Sequence, residues 1–246
     1  MTQKVALVTG ASSGIGAAVS LRLAADDYLV MAAGRDLART EALQTQNPNI
    51  QTWVGDISSS SACNELVSAC INQFGRLDLL VNTAGIFCAA NVEGTTDDIW
   101  SQTIAINLNA PFYLSREATP YLRETKGVIV NVASDWGLTG GKQAVAYCAS
   151  KGGIVLMTKA MALDHAHEGI RINAVCPGDV ETEMLYADGA ARGLSREDAL
   201  EEADAESPTG RVTTAEEVAA LIAFLGSDSA AQITGAAIPI DGGNTA

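Results

Sequence analysis

Aromatic residues are scarce in this sequence. Three Trp, five Tyr and four Phe make up 5% of 246 residues. Ala, Val, Ile, Leu and Gly abound instead, a composition suited to helices packed tightly on a Val- and Ile-rich sheet. Basic residues are also few: 15 Lys and Arg stand against 29 Asp and Glu, a net charge of −14. An acidic surface repels phosphate backbones and anionic lipid, so neither nucleic acid nor a membrane is an expected partner. Five Cys are present, an odd number at irregular spacing and without a CxxC pair. That pattern argues against a disulfide framework and a metal site and points to a reducing cytoplasm. Cys148 reads as a packed small hydrophobe before a reactive thiol. The two His, His165 and His167, read as surface residues at a helix end and not as a metal pair or a base. The opening MTQKVALVTG lacks the basic region, long apolar core and cleavage site of a secretion signal. No apolar run reaches the length of a membrane span.

What is present is a regular alternation. Short apolar runs fall at residues 5–9, 28–33, 50–54, 77–82, 127–132, 171–175 and 236–240. Helical patterns lie between them at 14–25, 36–46, 58–74, 144–167 and 214–225, with two further stretches across 95–123 broken near Pro111. Such alternation implies an α/β fold: a single-domain, Rossmann-type, doubly wound parallel sheet of about seven strands with helices on both faces. The length suits one domain over 1–246. Residues 183–206 are polar, acidic and Ala-rich without a strong apolar stripe, and 183–210 are expected to form a mobile lid over the substrate.

In such a sheet, ligands lie outside the carboxyl ends of the strands. The first strand is followed by Thr9-Gly10-Ala11-Ser12-Ser13-Gly14-Ile15-Gly16. Glycines allow a tight turn, and the backbone amides with the start of the next helix suit a pyrophosphate. Tyr147 and Lys151 are four residues apart, hence on one helix face. Free tyrosine titrates near pH ~10, too high for an efficient base, and a nearby ammonium favours the phenolate. Ser134 follows the fifth strand, where its hydroxyl can meet a substrate oxygen.

TGxxxGIG, the later YxxxK and the motifs in order between them resemble the short-chain dehydrogenase/reductase family over essentially the whole chain. The resemblance implies an NAD(P)-dependent alcohol dehydrogenase or ketone reductase. It implies Asn107, Ser134, Tyr147 and Lys151 as the catalytic set: Tyr147 as general acid and base, Lys151 lowering its pKa and binding the nicotinamide ribose, Ser134 polarising the substrate oxygen, Asn107 holding a proton-relay water. Asn107 also stands before Pro111, where a polar residue can kink a helix. The cofactor would be held by Gly10, Ser12, Ser13, Gly14, Ile15 and Gly16, by Asp56 and Ile57 at the adenine, and by Asn82, Ala84 and Gly85 at the ribose. Pro177, Gly178, Val180 and Thr182 would hold the carboxamide. Asp56 also reads as a cap for the following helix. Asn82-Thr83-Ala84-Gly85 departs from the family's NNAG at Thr83, which puts a sheet-stabilising hydrogen bond in question.

The second strand ends Gly34-Arg35-Asp36. An acidic residue at the Gly34 place would accept from the ribose hydroxyls of NAD(H); none is there, and the Arg35 guanidinium suits a 2′-phosphate. NADP(H) is therefore expected, with NAD(H) the alternative if Asp36 turns inward. The expected substrate is a small neutral alcohol or ketone, because the acidic 183–210 rim disfavours acidic partners such as acyl carrier protein. Trp136, Met184 and Leu185 read as pocket lining or as ordinary core. The family's usual assembly implies a homotetramer, or a homodimer, joined through two long helices and the C-terminal strand region. A catalytically silent dinucleotide sensor stays open as a further reading.

Overall fold

The computed structural model describes residues 3–246. Seven parallel strands form one sheet: β1 (Val5–Val8), β2 (Leu29–Gly34), β3 (Ile50–Val54), β4 (Leu79–Asn82), β5 (Val128–Val132), β6 (Arg171–Pro177) and β7 (Ala237–Ile240). Their order is β3-β2-β1-β4-β5-β6-β7, so the chain reverses its direction of travel between β1 and β4. That reversal leaves a crevice at the carboxyl edge, where such folds take ligands. Strand side chains alternate across the sheet. Ala6 and Val8 of β1 face a core shared with α1 (Gly14–Ala25) and α9 (Ala215–Gly226) through Val19, Leu23, Val218 and Ile222. Val5 and Leu7 face the opposite core, shared with α3 (Ser60–Phe74) and α5 (Ala110–Thr125) through Leu66, Val67, Leu114 and Leu122. With both faces covered, the central strands are dominated by buried apolar residues, which is why they stand out in the sequence.

Three remaining helices position functional groups. α2 (Leu37–Gln46) follows β2 and is capped by Asp36. α4 (Asp97–Ile104) runs into one wide π turn, Ala105–Asn109, before α5 begins. α6 (Val145–His165) carries Tyr147 and Lys151.

The segment after β6 is more ordered than its polar composition suggests. It forms α7 (Glu183–Ala191) and α8 (Arg196–Glu206). The two pack through small residues: a Cβ added to Gly189 would lie 2.5 Å from the Ala199 Cβ. Arg192 bridges Asp188 and Glu202, and Arg196 reaches Glu183 at 3.1 Å. A contact surface of Gly and Ala leaves no large apolar stripe, which explains why the sequence pattern misses it. No helix among the described residues is long and apolar enough to cross a membrane.

Candidate active site

A cavity of about 930 Å3 runs along the carboxyl edge of the sheet, from the loop after β1 to the α7–α8 pair. Its walls include Gly10, Ser12, Ser13, Gly14, Ile15, Gly16, Arg35, Asp56, Ile57, Ala84 and Gly85. They also include Ser134, Tyr147, Lys151, Pro177, Gly178, Val180 and Thr182. Two residues expected at the site do not line it. The Asn82 side chain turns into the protein, donating to Asn131 Oδ1 at 2.8 Å, and Asn131 in turn donates to Thr158 at 2.9 Å. Asn107 sits behind the wall, fully buried.

The loop after β1 turns tightly, with φ of 63° at Gly10 and 52° at Gly14. A Cβ on Gly16 would stand 2.3 Å from the Gly10 carbonyl oxygen, so only glycine lets helix and loop approach this closely. Ser13 occupies the N-cap of α1 without a side-chain capping bond. The first-turn amides of that helix are left to the cavity, an arrangement suited to a phosphate. The Thr83 hydroxyl donates to the Thr9 carbonyl. The strand contact put in question by the loss of the family's second Asn is thus remade by Thr83.

Farther along, a Cβ on Gly34 would lie 2.6 Å from Thr40 Oγ1 and 3.0 Å from Ser12 Cβ. A larger residue at the end of β2 has no room without displacing both. Arg35 beside it is exposed on the cavity wall and forms no ion pair among the described residues. Asp36 does not turn inward: its carboxylate accepts from the Arg39 amide at 3.0 Å and faces the Arg39 guanidinium at 3.6 Å. Asp56 accepts from the Ser58 amide at 2.8 Å. It does not cap the next helix; Ser59 does, accepting from the Ala62 amide.

At the other end, Lys151 is buried and donates from Nζ to the Val132 carbonyl at 2.8 Å. Its Nζ is 5.6 Å from the centre of the Tyr147 ring. Burial pushes the lysine down to about 8. Burial also pushes the Tyr147 phenol up to about 12; the Ser134 hydroxyl works against this, and Asp135, Asp179 and Cys148 add to it. In the protein alone, therefore, the phenol is held up, contrary to the expectation that the ammonium lowers it. The cause is desolvation of the phenol, and the same burial disfavours the charge of Lys151. Phe87 and Trp136 meet the Tyr147 ring edge-on at 5.2 and 6.2 Å. Met184 and Leu185 close the cavity from α7.

Ser134 lies two residues past β5 and caps a short 3-10 turn, Asp135–Gly137, accepting from the Trp136 amide. Asn107 lies in the π turn. Its Oδ1 accepts from the Ile86 amide at 2.8 Å, and its Nδ2 donates to the Ile86 carbonyl at 2.9 Å and to Ser150 Oγ at 3.2 Å. The helix-distorting reading of Asn107 and its place behind the site therefore hold together: the wide turn aims the amide at the loop after β4. Sequence reasoning passed over Asp135 and Asp179, both on the cavity wall. Burial raises the Asp179 carboxyl, and Asp135, Glu206 and Asp188 raise it further, against Arg192. The substrate end is thus acidic inside as well as at its rim. A single carboxylate carries no motif spacing that would have marked either residue.

A glycine loop under a free helix start, and a Tyr-Lys pair at the same edge of a doubly wound sheet, define a dinucleotide-dependent oxidoreductase. A family model described as enoyl-(acyl carrier protein) reductase matches residues 10–245. The meso-2,3-butanediol dehydrogenase of Serratia marcescens is 38% identical over 99% of this chain and 95% of its own. A solved single-substitution variant of actinorhodin polyketide ketoreductase with NADPH superposes with a TM-score of 0.94 at 33% identity, covering 98% of this chain and 97% of that one. The ligand-free aldohexose dehydrogenase of Thermoplasma acidophilum gives 0.91 at 31% identity over 99% and 94%. The chain belongs to the short-chain dehydrogenase/reductase family.

Proposed function

We propose that this protein is an NADP(H)-preferring dehydrogenase or ketone reductase acting on a small neutral alcohol or ketone. The observation that carries the reading is the convergence of Ser134, Tyr147 and Lys151 on the cavity that begins at the glycine loop. Residues 10–16 suit the pyrophosphate, Asp56 and Ile57 the adenine, Ala84 and Gly85 the ribose. Val180 backbone groups and the Thr182 hydroxyl suit the carboxamide; Thr182 starts α7 without a side-chain capping bond, which leaves its hydroxyl uncommitted. When bound, the nicotinamide supplies or accepts the hydride. Tyr147 gives a proton to the ketone oxygen or takes it from the alcohol. Lys151 holds the ribose and, once its charge is stabilised there, favours the phenolate. Ser134 orients the substrate oxygen, Asn107 fixes the loop at Ile86 and the relay behind Lys151, and the aromatic trio excludes water. The α7–α8 pair serves as the lid.

Preference for the 2′-phosphate rests on Arg35, unpaired at the cavity wall, on Asp36 being held by α2, and on the space at Gly34 being filled by Thr40 and Ser12. Asp179, Glu206 and Asp135 disfavour anionic substrates. The assembly is a homotetramer or homodimer through the outer faces of α5 and α6. Steady-state rates with NADPH and NADH test the reading. The panel pairs 2,3-butanediol with acetoin, cyclohexanol with cyclohexanone, and 3-hydroxybutyrate with acetoacetate. The neutral pairs should outrun the anionic one, with NADPH preferred, and Arg35→Asp should raise the NADPH KM by about tenfold or more, the worth of one charge-assisted pair. Equal use of both cofactors by both proteins would refute the cofactor reading.

A further inference from the structure

The carboxylates at the substrate end of the cavity differ in what holds them. Asp135 accepts from the Ser134 hydroxyl at 2.8 Å, the Trp136 amide at 2.7 Å and Asn244 at 2.8 Å. Asp188 and Glu202 share Arg192. Glu206 and Asp179 have no side-chain hydrogen bond or ion pair among the described residues. Glu206 is exposed at the end of α8. Asp179 stands on a fixed loop: its carbonyl accepts from the Thr213 amide at 3.0 Å, Val180 beside it pairs with Thr213, and the Gly178 amide donates to the Ile240 carbonyl at 3.3 Å. The Asp179 carboxylate opens on the cavity, yet lies deep enough for burial to lead the influences that raise it. Its charge also reaches the Tyr147 phenol. Strand register gives its height. Val132 of β5 pairs with Val175 of β6, so Ser134 falls level with Pro177 and Asp179 stands two residues further out. That step is roughly 7 Å at about 3.3 Å per residue. Two hydrogen bonds of about 2.7 Å and one carbon–carbon bond span the same gap.

A carboxylate only accepts hydrogen bonds. When a substrate displaces solvent from the cavity, Asp179 needs a donor from that substrate, and an apolar group in that place leaves the carboxylate unpaired at a cost. Asp135, Glu206 and Asp188 around it add negative charge and no donor, while Arg192 already faces it as a cation. The partner it lacks is a neutral donor. We propose that Asp179 is a specificity-determining residue that accepts a hydrogen bond from a second hydroxyl of the substrate, on the carbon next to the one that reacts. The site then takes vicinal diols and α-hydroxyketones ahead of simple alcohols and ketones. The inference rests on the proposed reaction at Tyr147 and narrows its substrate.

The test compares substrates that differ by one hydroxyl: 2,3-butanediol against 2-butanol in oxidation, and acetoin against 2-butanone in reduction. In the wild type, kcat/KM should favour the hydroxylated member of each pair by about tenfold or more, the worth of one charge-assisted hydrogen bond. Asp179→Leu, which removes the acceptor, should bring both ratios to within about threefold of one. Asp179→Asn keeps an oxygen acceptor without the charge and should give intermediate ratios; it carries the test if the leucine variant does not fold. A merely structural role would lower both members of a pair together and leave the ratios where they were. A wild type that turns over 2,3-butanediol no faster than 2-butanol overturns the assignment, as do folded Asp179 variants that keep the wild-type ratios. So does a wild type that prefers 3-amino-2-butanol to the diol, since the residue would then be reading an ammonium. Tyr147→Phe separates the two levels. If that variant is inactive while the Asp179 variants keep the wild-type ratios, the assignment to Asp179 fails and the reaction stands. If Tyr147→Phe is fully active, the reaction itself falls.

Discussion

Lys151 shows how a residue in a proposed catalytic role can cost stability. Its ammonium is buried and drawn from an ordinary 10.5 down to about 8. The folded chain therefore sheds this proton at lower pH than the unfolded chain. Between about 8 and 10.5 the unfolded state binds more protons, so this group's contribution to stability rises with pH across that window and its cost is largest below it. Lys151→Met should be inactive yet more stable in urea at pH 7 by up to roughly 3.5 kcal/mol, the drop from 10.5 to about 8 at about 1.4 kcal/mol per pK unit. The gain should shrink above pH 8 and vanish near 10.5. Comparing the two proteins at each pH removes the opposing effect of Cys63 and Cys70, whose thiols burial pushes up to about 11 and 12. A variant less stable at pH 7 would contradict the account. At this scale the sequence was legible where spacing is local. Tyr147 and Lys151 share one turn of helix, and the glycines sit within one loop. Asp135 was not legible, because its partner Asn244 is 109 residues away.

Elements were readable where their surroundings are uniform. β1, β4 and β5 are buried at every position and appear as apolar runs, broken only by Asn82 and Asn131. The α7–α8 pair escaped because it packs through Gly189, Ala199 and Ala203 and through arginine bridges, none of which makes an apolar stripe. The distortion at Ala105–Asn109 was readable in part from Asn107 and Pro111, but its π form was not, since Asn107 bonds to Ile86 across 21 positions of sequence. Helix α6 presents an exposed stripe opposite its buried side, with Leu156 68% and Leu163 82% exposed at positions two turns apart. Phe112 of α5 is 44% exposed. Apolar side chains this open on a Pro-free helix are the basis of the proposed assembly. Sedimentation of the wild type should give a tetramer or dimer, and Leu156→Glu with Leu163→Glu should give a folded monomer. A wild-type monomer would remove the assembly from the account.

Across the whole molecule, the sheet order decides what can meet. β1, β4, β5 and β6 are neighbours, so the loops that follow them, carrying Gly10–Gly16, Ala84–Gly85, Ser134–Asp135 and Pro177–Thr182, open on one edge. Alternating strand and helix patterns foretold the doubly wound parallel sheet, since right-handed crossovers leave few other solutions, but not the order of its strands. The acidic lining was only half foretold. The rim residues of 183–210 are visible in composition, whereas Asp135 and Asp179 join them only through the fold. The most direct measurement is made on Tyr147→Phe, with NADPH affinity and ketone reduction followed in the same preparation. Affinity should stay within about threefold of wild type while kcat falls by about a thousandfold, the scale of a lost general acid. Wild-type turnover by that variant would contradict the claim that this phenol moves the proton.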